Sequence, residues 1–391
     1  MCKGNKNRAK SKGVVVREAD RVVVGLDVHK KQIHAAVRIN GVEVGTHVLP
    51  ARPAVVEKFL APYRAGLKHV VYEAGPTGYG LARHLRRAGV SVDVIAPSKT
   101  PHAPGDGSKS DRLDCRDLAR LDEAGLLRAV AVPTEEEEAD RQLIRMRDHA
   151  ADLRRKARQR IKSFLLQHGL PEPAGLKEWT VASVAALGTM EVKQARLRGV
   201  LDLMLEELAN AQEMVAKIEY EMGVMAAEAR YAPLVKAVRV HRGIGIVTAL
   251  AFITEMYQAG RFEKEGEVSA MLGLAPKVRQ SGERRRGGPL LKAGRGRLRA
   301  LLVEASWTWI RFDPVAGATY RRLRSNTGMA QKAIVGVARR LGIDLWRRLV
   351  KAQGGARTGP TSASGSPGGD RTTTVPTRGR RNGQTTATAG L

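Results

Sequence analysis

Arg21-Val22-Val23-Val24-Gly25-Leu26-Asp27-Val28 is a β-branched run with a single acid near its end. A short continuous apolar run of this kind reads as a strand buried on both faces. Working outward, Ile33–Ile39 and Val42–Leu49 are strand-like and are joined by Asn40–Gly41. Asn-Gly supplies the positive φ angles of a tight hairpin. Pro53–Tyr63 reads as a short helix, and His69–Ala74 (HVVYEA) as another buried strand with Glu73 near its C-terminal end. Gly78–Ala88 reads as a helix and Ser91–Ala96 as a strand; a Pro/Gly loop at 97–107 precedes a further helix, and Ala129–Val132 is a last short strand. The order β-β-β-α-β-α-β-loop-α predicts an α/β domain over 21–134. Open α/β sheets place their sites at the carboxyl ends of strands, where Asp27 and Glu73 stand.

The helix after the loop contains Ser108-Lys109-Ser110-Asp111-Arg112-Leu113-Asp114-Cys115-Arg116-Asp117-Leu118. Ser110 is a helix start signal. Asp111 and Asp114, three apart, share a helix face. Two carboxylates there repel unless a cation lies between them, and Mg²⁺ takes carboxylate and water oxygens. A solvated helix face is the alternative for this pair, as a turn cap is for Asp27 and a surface acid for Glu73. Converging, the four acids are enough for a two-metal site, which clamps the attacking and leaving oxygens of a phosphodiester. Cys115 reads as a small buried helix residue.

The chain has 391 residues and a formal net charge of +28, which points to a polyanionic partner and to nucleic acid before membrane. Two cysteines far apart exclude a disulfide framework. No run reaches the ~18 apolar residues of a membrane span, so the expectation is a soluble cytoplasmic protein without a membrane partner. Residues 1–20 are basic and polar, residues 351–391 are rich in Gly, Ser, Thr and Pro, and both read as disordered.

From Glu135 to 230 the pattern is helical. The run Glu135–Glu138 opens a helix, where it complements the macrodipole. Leu143, Met146, Ala150, Leu153, Ala157 and Phe164 give a heptad rhythm that Arg160 interrupts. Leu201, Met204, Leu208, Ala211, Val215, Ile218, Met222 and Met225 alternate steps of three and four without a break, a coiled-coil seam. Its partner is either the preceding helix, antiparallel, or another subunit. Arg154, Arg155 and Arg158, with Lys156, Arg160 and Lys162, form a candidate nucleic-acid surface.

Residues 231–350 make a third, mostly helical region. In His241–Met256 (HRGIGIVTALAFITEM), Gly243 and Gly245 precede an apolar helix whose N-terminus is a candidate phosphate site; a plain helix–helix turn is the alternative. Val268–Pro276 reads as a short helix. Lys277–Arg299 (KVRQSGERRRGGPLLKAGRGRLR) reads as a basic loop, since its Gly and Pro exclude one continuous helix. Ser281 stands within it, either as a turn former or as a nucleophile. Arg279, Arg284, Arg285, Arg286 and Lys292 are suited to holding a phosphate. Leu298–Phe312 and Gln331–Leu349 read as closing helices.

Gly25–Lys30, Tyr72–Tyr79 and Lys109–Asp114 together resemble the N-terminal DEDD domain of insertion sequence 110 family transposases. Arg242–Gly245, Gly273–Pro276, Gln280–Gly282, Lys292–Gly294 and Leu298–Arg299 resemble the C-terminal domain of the same family. The resemblance spans about 21–350. It implies a RuvC-like, RNase H-like fold for the first domain and Mg²⁺ as cofactor, held by Asp27, Glu73, Asp111 and Asp114. It also implies a recombinase acting on element ends and target DNA, guided by an element-encoded bridge RNA, with Ser281 becoming joined to DNA. A homo-oligomer, dimer or tetramer, is expected. Arg242 stands where the family has Pro, Ser110 replaces Thr, and the tail is outside the pattern. The alternatives are a RuvC-like resolvase using metal-activated water and a non-catalytic nucleic-acid-binding protein. An actin-like ATPase is excluded because His29–Gln32 is no glycine-rich phosphate loop.

Overall fold

The computed structural model describes residues 15–97, 115–281, 284–290 and 294–354. In chain order the first region comprises β1 (Val22–Val28), β2 (Gln32–Ile39), β3 (Val42–Pro50), α1 (Pro53–Leu60), β4 (Leu67–Glu73), α2 (Gly80–Arg87), β5 (Val92–Ile95), α3 (Cys115–Glu123) and β6 (Ala129–Val130). The six strands form one sheet in the order β3-β2-β1-β4-β5-β6. β1 runs parallel to β4 and β4 to β5, while the other pairs are antiparallel. Asn40 and Gly41 turn the β2–β3 hairpin with φ of 49° and 86°.

Strand alternation divides the sheet into two faces. Val22, Val24, Leu26, Val70 and Tyr72 pack with Val56, Leu60, Leu81 and Leu85 of α1 and α2. On the opposite face Val71 and Ile95 pack with Leu118 of α3. Gly25 sets how close α3 comes. A Cβ there would lie 2.0 Å from the Cys115 carbonyl oxygen and 2.7 Å from the Ala119 nitrogen, so only glycine lets this helix backbone rest on β1. Residues 15–20 are not a free arm. Arg17 N–H donates to Asp20 at 2.7 Å, and Val16 and the carbonyls of Arg17 and Asp20 lie against Gly66. The rest of the basic arm, residues 1–14, and the tail from 355 lie outside the described residues.

The long helix α4 (Glu135–Gln167) starts at Thr134. Its hydroxyl accepts from Glu137 N–H, while the Glu137 carboxylate accepts from Thr134 N–H, a capping box. Next come α5 (Val181–Thr189), which the sequence reading does not mark, and α6 (Ala195–Ala227). Arg160 pairs with Glu207 and Arg147 with Glu219, so α4 and α6 run antiparallel in one hairpin. Of the α6 seam, Leu201, Leu208, Val215, Ile218, Met222 and Met225 are buried, while Met204 and Ala211 are half-buried. Its partner lies within the chain.

The α4 register differs from the expected heptad. Ile144, Ala150, Ala157, Ile161 and Phe164 face inward, whereas Met146 and Leu153 are exposed. Arg160 is exposed, so it interrupts no core position. The hairpin has two cores. Its tip packs Ala157, Ile161 and Phe164 with Leu201 and Leu208. Its base joins Ile144, Val215 and Met222 to Leu250, Leu302 and Leu341 of the C-terminal helices.

Those helices are α7 (Ala232–Val238), α8 (Ile246–Met256), α9 (Glu265–Met271), α10 (Gly296–Phe312), α11 (Pro314–Thr327) and α12 (Ala330–Ala352). Between α9 and α10 lies an antiparallel ribbon, β7 (Pro276–Ser281) and β8 (Arg284–Leu290). The ribbon replaces the basic loop expected there. Among the described residues, no helix is long and apolar enough to cross a membrane.

Candidate active site

Asp27 and Glu73 end neighbouring parallel strands. The register pairs Gly25 with Val71 and Leu26 with Tyr72, and the next residue on each strand is the acid. Alternation puts both on the face that carries α3, because Gly25 and Val71 point there. Asp27 is part-buried and accepts a 2.9 Å hydrogen bond from His29 Nε2. A carboxylate can only accept, which fixes the hydrogen on that nitrogen. Asp27 borders a cavity of about 370 Å³ shared with His34, His47, Cys115 and Arg116.

Cys115 is buried and is the first described residue of α3, and the residue before it in the chain is Asp114. Asp111, Asp114 and the helix start at Ser110 lie outside the described residues. α3 is fixed at two points. Near its start the Cys115–Ala119 backbone rests on Gly25. Near its end Asp122 is bound by His69 of β4, with Oδ2 2.7 Å from Nδ1, while His69 Nε2 lies 3.3 Å from Asp93 of β5. Burial disfavours the imidazolium, but the hydrogen bonds and charges of Asp122 and Asp93 outweigh it and hold the His69 pKa at about 9. Neither His69 nor the role of Gly25 is legible as part of a site motif.

Among the described residues no group of three or more His, Cys, Asp and Glu side chains has the geometry of a metal site. The two acids that are described nevertheless supply hard carboxylate oxygens from adjacent rigid strand ends, a donor set that fits a divalent cation such as Mg²⁺.

Ser281 ends β7 and pairs across the ribbon with Arg284, and Arg279 pairs with Arg286 and Gln280 with Arg285. The serine's backbone neighbours across the ribbon are therefore arginines. Lys292 and Gly282 lie outside the described residues. The chain that follows the ribbon rests on the end of α9 at Gly294 and Arg295. Gly294 has φ 88°, and a Cβ on it would meet the Ala270 carbonyl at 2.4 Å and the Gly273 nitrogen at 2.6 Å. Arg295 N–H donates to the Met271 carbonyl at 3.0 Å.

Of the two glycines before α8, Gly243 has φ 99° and a Cβ there would meet the Ala305 carbonyl at 2.6 Å, so close packing on α10 demands it. Gly245 is the exposed N-cap of α8 with open space around its Cα. On α4, Arg155 pairs with Asp152 at 2.7 Å, whereas Arg158 lies over the ring of Trp179, 5.3 Å from its centroid. Trp179 carries no signal in the sequence reading.

The chain matches known proteins over both regions. Residues 24–169 match a transposase family of the DEDD type, and residues 235–321 match the Transposase IS116/IS110/IS902 family. A Sinorhizobium fredii protein named "Putative transposase y4qE" is 35% identical over 310 residues, covering 78% of this chain and 76% of that protein. The transposase for insertion sequence element IS1533 of Leptospira borgpetersenii is 29% identical over 298 residues, covering 73% of this chain and 85% of that one. The transposase for insertion sequence element IS1111A of Coxiella burnetii is 25% identical over 238 residues, 59% of this chain and 64% of that one. With a described fold that sets two carboxylates at adjacent strand ends and a serine in an arginine-rich ribbon, the chain belongs to the IS110 family of transposases.

Proposed function

We propose that this transposase cuts and rejoins DNA with four carboxylates and one serine acting together. The observation that carries the reading is the placement of Asp27 and Glu73 side by side at the ends of β1 and β4, with α3 locked on Gly25 immediately after Asp114 in the chain. A three-stranded antiparallel meander beside parallel β4 and β5 supports an RNase H-like assignment of this sheet. Asp27, Glu73, Asp111 and Asp114 would hold Mg²⁺, which when bound neutralises charge on the phosphodiester and its leaving oxygen.

Ser281 supplies the hydroxyl. Its Oγ forms a bond to phosphorus, a sugar oxygen leaves, and the DNA end stays attached to the protein until another strand's hydroxyl displaces the serine. Arg279, Arg284, Arg285 and Arg286 stabilise the charge that develops on the phosphoryl oxygens. Acids and serine lie on separate elements, which supports a site composed between subunits of a dimer or tetramer. Arg154, Arg155, Arg158, Gly243, Gly245 and Lys292 contact the nucleic acid. A guide RNA is proposed on the family resemblance together with the net charge of +28.

The test uses the full chain with Asp27→Asn and Glu73→Gln. Titration calorimetry with Mg²⁺ or Mn²⁺ should show binding lost in both variants, and an element-end duplex should remain uncut while still being bound. Cation binding and cleavage unchanged in both would overturn the reading.

A further inference from the structure

The tip of the α4–α6 hairpin carries a cavity whose lining, among the described residues, includes neither Asp27 nor Glu73. It measures about 540 Å³, within the ~300–1,000 Å³ range of pockets that enclose small ligands. One wall is a stripe of α4 that includes Arg154, Arg155, Arg158 and Lys162, and the other is the segment before α5, with Glu172 and Trp179. The stripe follows helical spacing, so its cations stand on one face. Two of them are already paired, Arg155 with Asp152 and Lys162 with Glu172 at 3.3 Å.

Arg158 is different. It covers the indole of Trp179, and its Nε is shut from solvent with no hydrogen-bond partner among the described residues. Burial and the neighbouring charge of Arg154 both lower the Arg158 pKa, so the pair is held together at an electrostatic cost that an anion would relieve. Trp179 itself sits at φ +55°, in the left-handed region that bulky residues avoid. A strained aromatic fixed beside an unsatisfied arginine is the arrangement that ligand clamps use.

We propose that this cavity takes one unpaired nucleotide, its base stacked on the Trp179–Arg158 pair and its phosphate on Arg154. Aromatic and guanidinium planes stack bases of any sequence, and a double-stranded segment cannot present a base face this way. The inference rests on the reading of the chain as a nucleic-acid-cutting transposase, and the unpaired nucleotide can come from opened DNA or from RNA.

The experiment measures binding of dT12, rU12 and a blunt duplex by fluorescence anisotropy, with the intact chain, Trp179→Ala and Trp179→Phe. Trp179→Ala should weaken single-strand binding by roughly 5- to 150-fold, Trp179→Phe should retain most of it, and duplex affinity should not change. Preference for rU12 over dT12 would assign the slot to RNA, and the reverse to opened DNA. Because Trp179 packs on the hairpin tip, the unmutated chain supplies a second reading: 5-iodouracil oligonucleotides should crosslink on irradiation to the peptide that contains Trp179. Equal losses on single strands and duplex, unchanged binding by Trp179→Ala, or crosslinks mapping elsewhere would overturn the proposal. Loss of the slot alone would leave Asp27-dependent duplex cleavage intact, which separates its failure from failure of the transposase reading.

Discussion

The acidic strand ends and the serine ribbon are built in opposite ways. Asp27 and Glu73 close strands whose preceding residues, Leu26 and Tyr72, are wholly buried in a six-stranded sheet. Ser281 closes one arm of a two-stranded ribbon, a form that is marginal in water without further support. On the proposed reading, carboxylates that share a cation would be held at fixed separation against their own repulsion, and a stiff frame suits that. On the same reading, Ser281 would be the nucleophile that becomes joined to DNA. Just after the ribbon, Gly294 and Arg295 lie against the end of α9.

The largest test of this contrast is Gly25→Ala. The added methyl would fall 2.0 Å from a helix carbonyl on both-sided rigid backbone. The expected cost is about 4 kcal/mol or more, of the size reserved for severe core disruption. Chemical denaturation should show it, together with loss of cleavage. Near-wild-type stability would mean that α3 is not locked on β1.

Gly294→Ala should cost less overall, about 2–3 kcal/mol, from a left-handed backbone and a clash with Ala270 and Gly273. Its signature is regional. Hydrogen exchange should quicken in β7 and β8 and stay unchanged in β1 and β4. Equal quickening in both regions would erase the distinction between stiff frame and rooted ribbon.

His69 sharpens the stiff side by pH. Its folded pKa, about 9, is raised above the ordinary 6.5. The stabilisation is therefore complete below about pH 6.5 and is lost as pH rises through about 9, on the order of 3 kcal/mol by linkage. Melts between pH 6 and 10 should fall in the wild type more than in His69→Gln. Parallel pH profiles would show that the Asp122 and Asp93 contacts do not hold α3.

The smallest effect concerns the basic surfaces. Neutralising Arg154 and Arg158 together should reduce the slope of log affinity against log salt by roughly 2. An unchanged slope would make that stretch of α4 a solvated face.

Much of the first region is legible because burial writes itself into sequence. The runs Val22–Leu26 and Val70–Tyr72 are apolar on both faces, and Asn40–Gly41 names its own turn. The α6 seam is legible for the same reason, as Leu201, Leu208, Val215, Ile218, Met222 and Met225 stay buried in one heptad phase although they serve both cores. α4 misleads because its buried residues, Ile144, Ala150, Ala157, Ile161 and Phe164, do not keep one heptad phase along its 33 residues. Met146 and Leu153 fit a heptad yet point outward. The ribbon is hidden because KVRQS and RRRGGPL contain no apolar alternation to reveal strands. α11 is apolar-poor as well, although Asp313 capping Val315 and Ala316 with Pro314 at the first position was a readable start. The strand-end placement of Asp27 and Glu73 is legible in the sequence, whereas the lock formed by Gly25 and His69 depends on α3, which arrives from elsewhere in the chain.

The account turns most directly on whether stiff acids and rooted serine perform one reaction. Wild type, Asp27→Asn and Ser281→Ala would be incubated with an end-labelled element duplex, quenched, and run on a denaturing gel. The expected result is a protein–DNA adduct in wild type only, with Ser281→Ala losing adduct and recombination together while still binding nucleic acid. An adduct that persists in Ser281→Ala, or full recombination by the wild type with no adduct at any time, would contradict it.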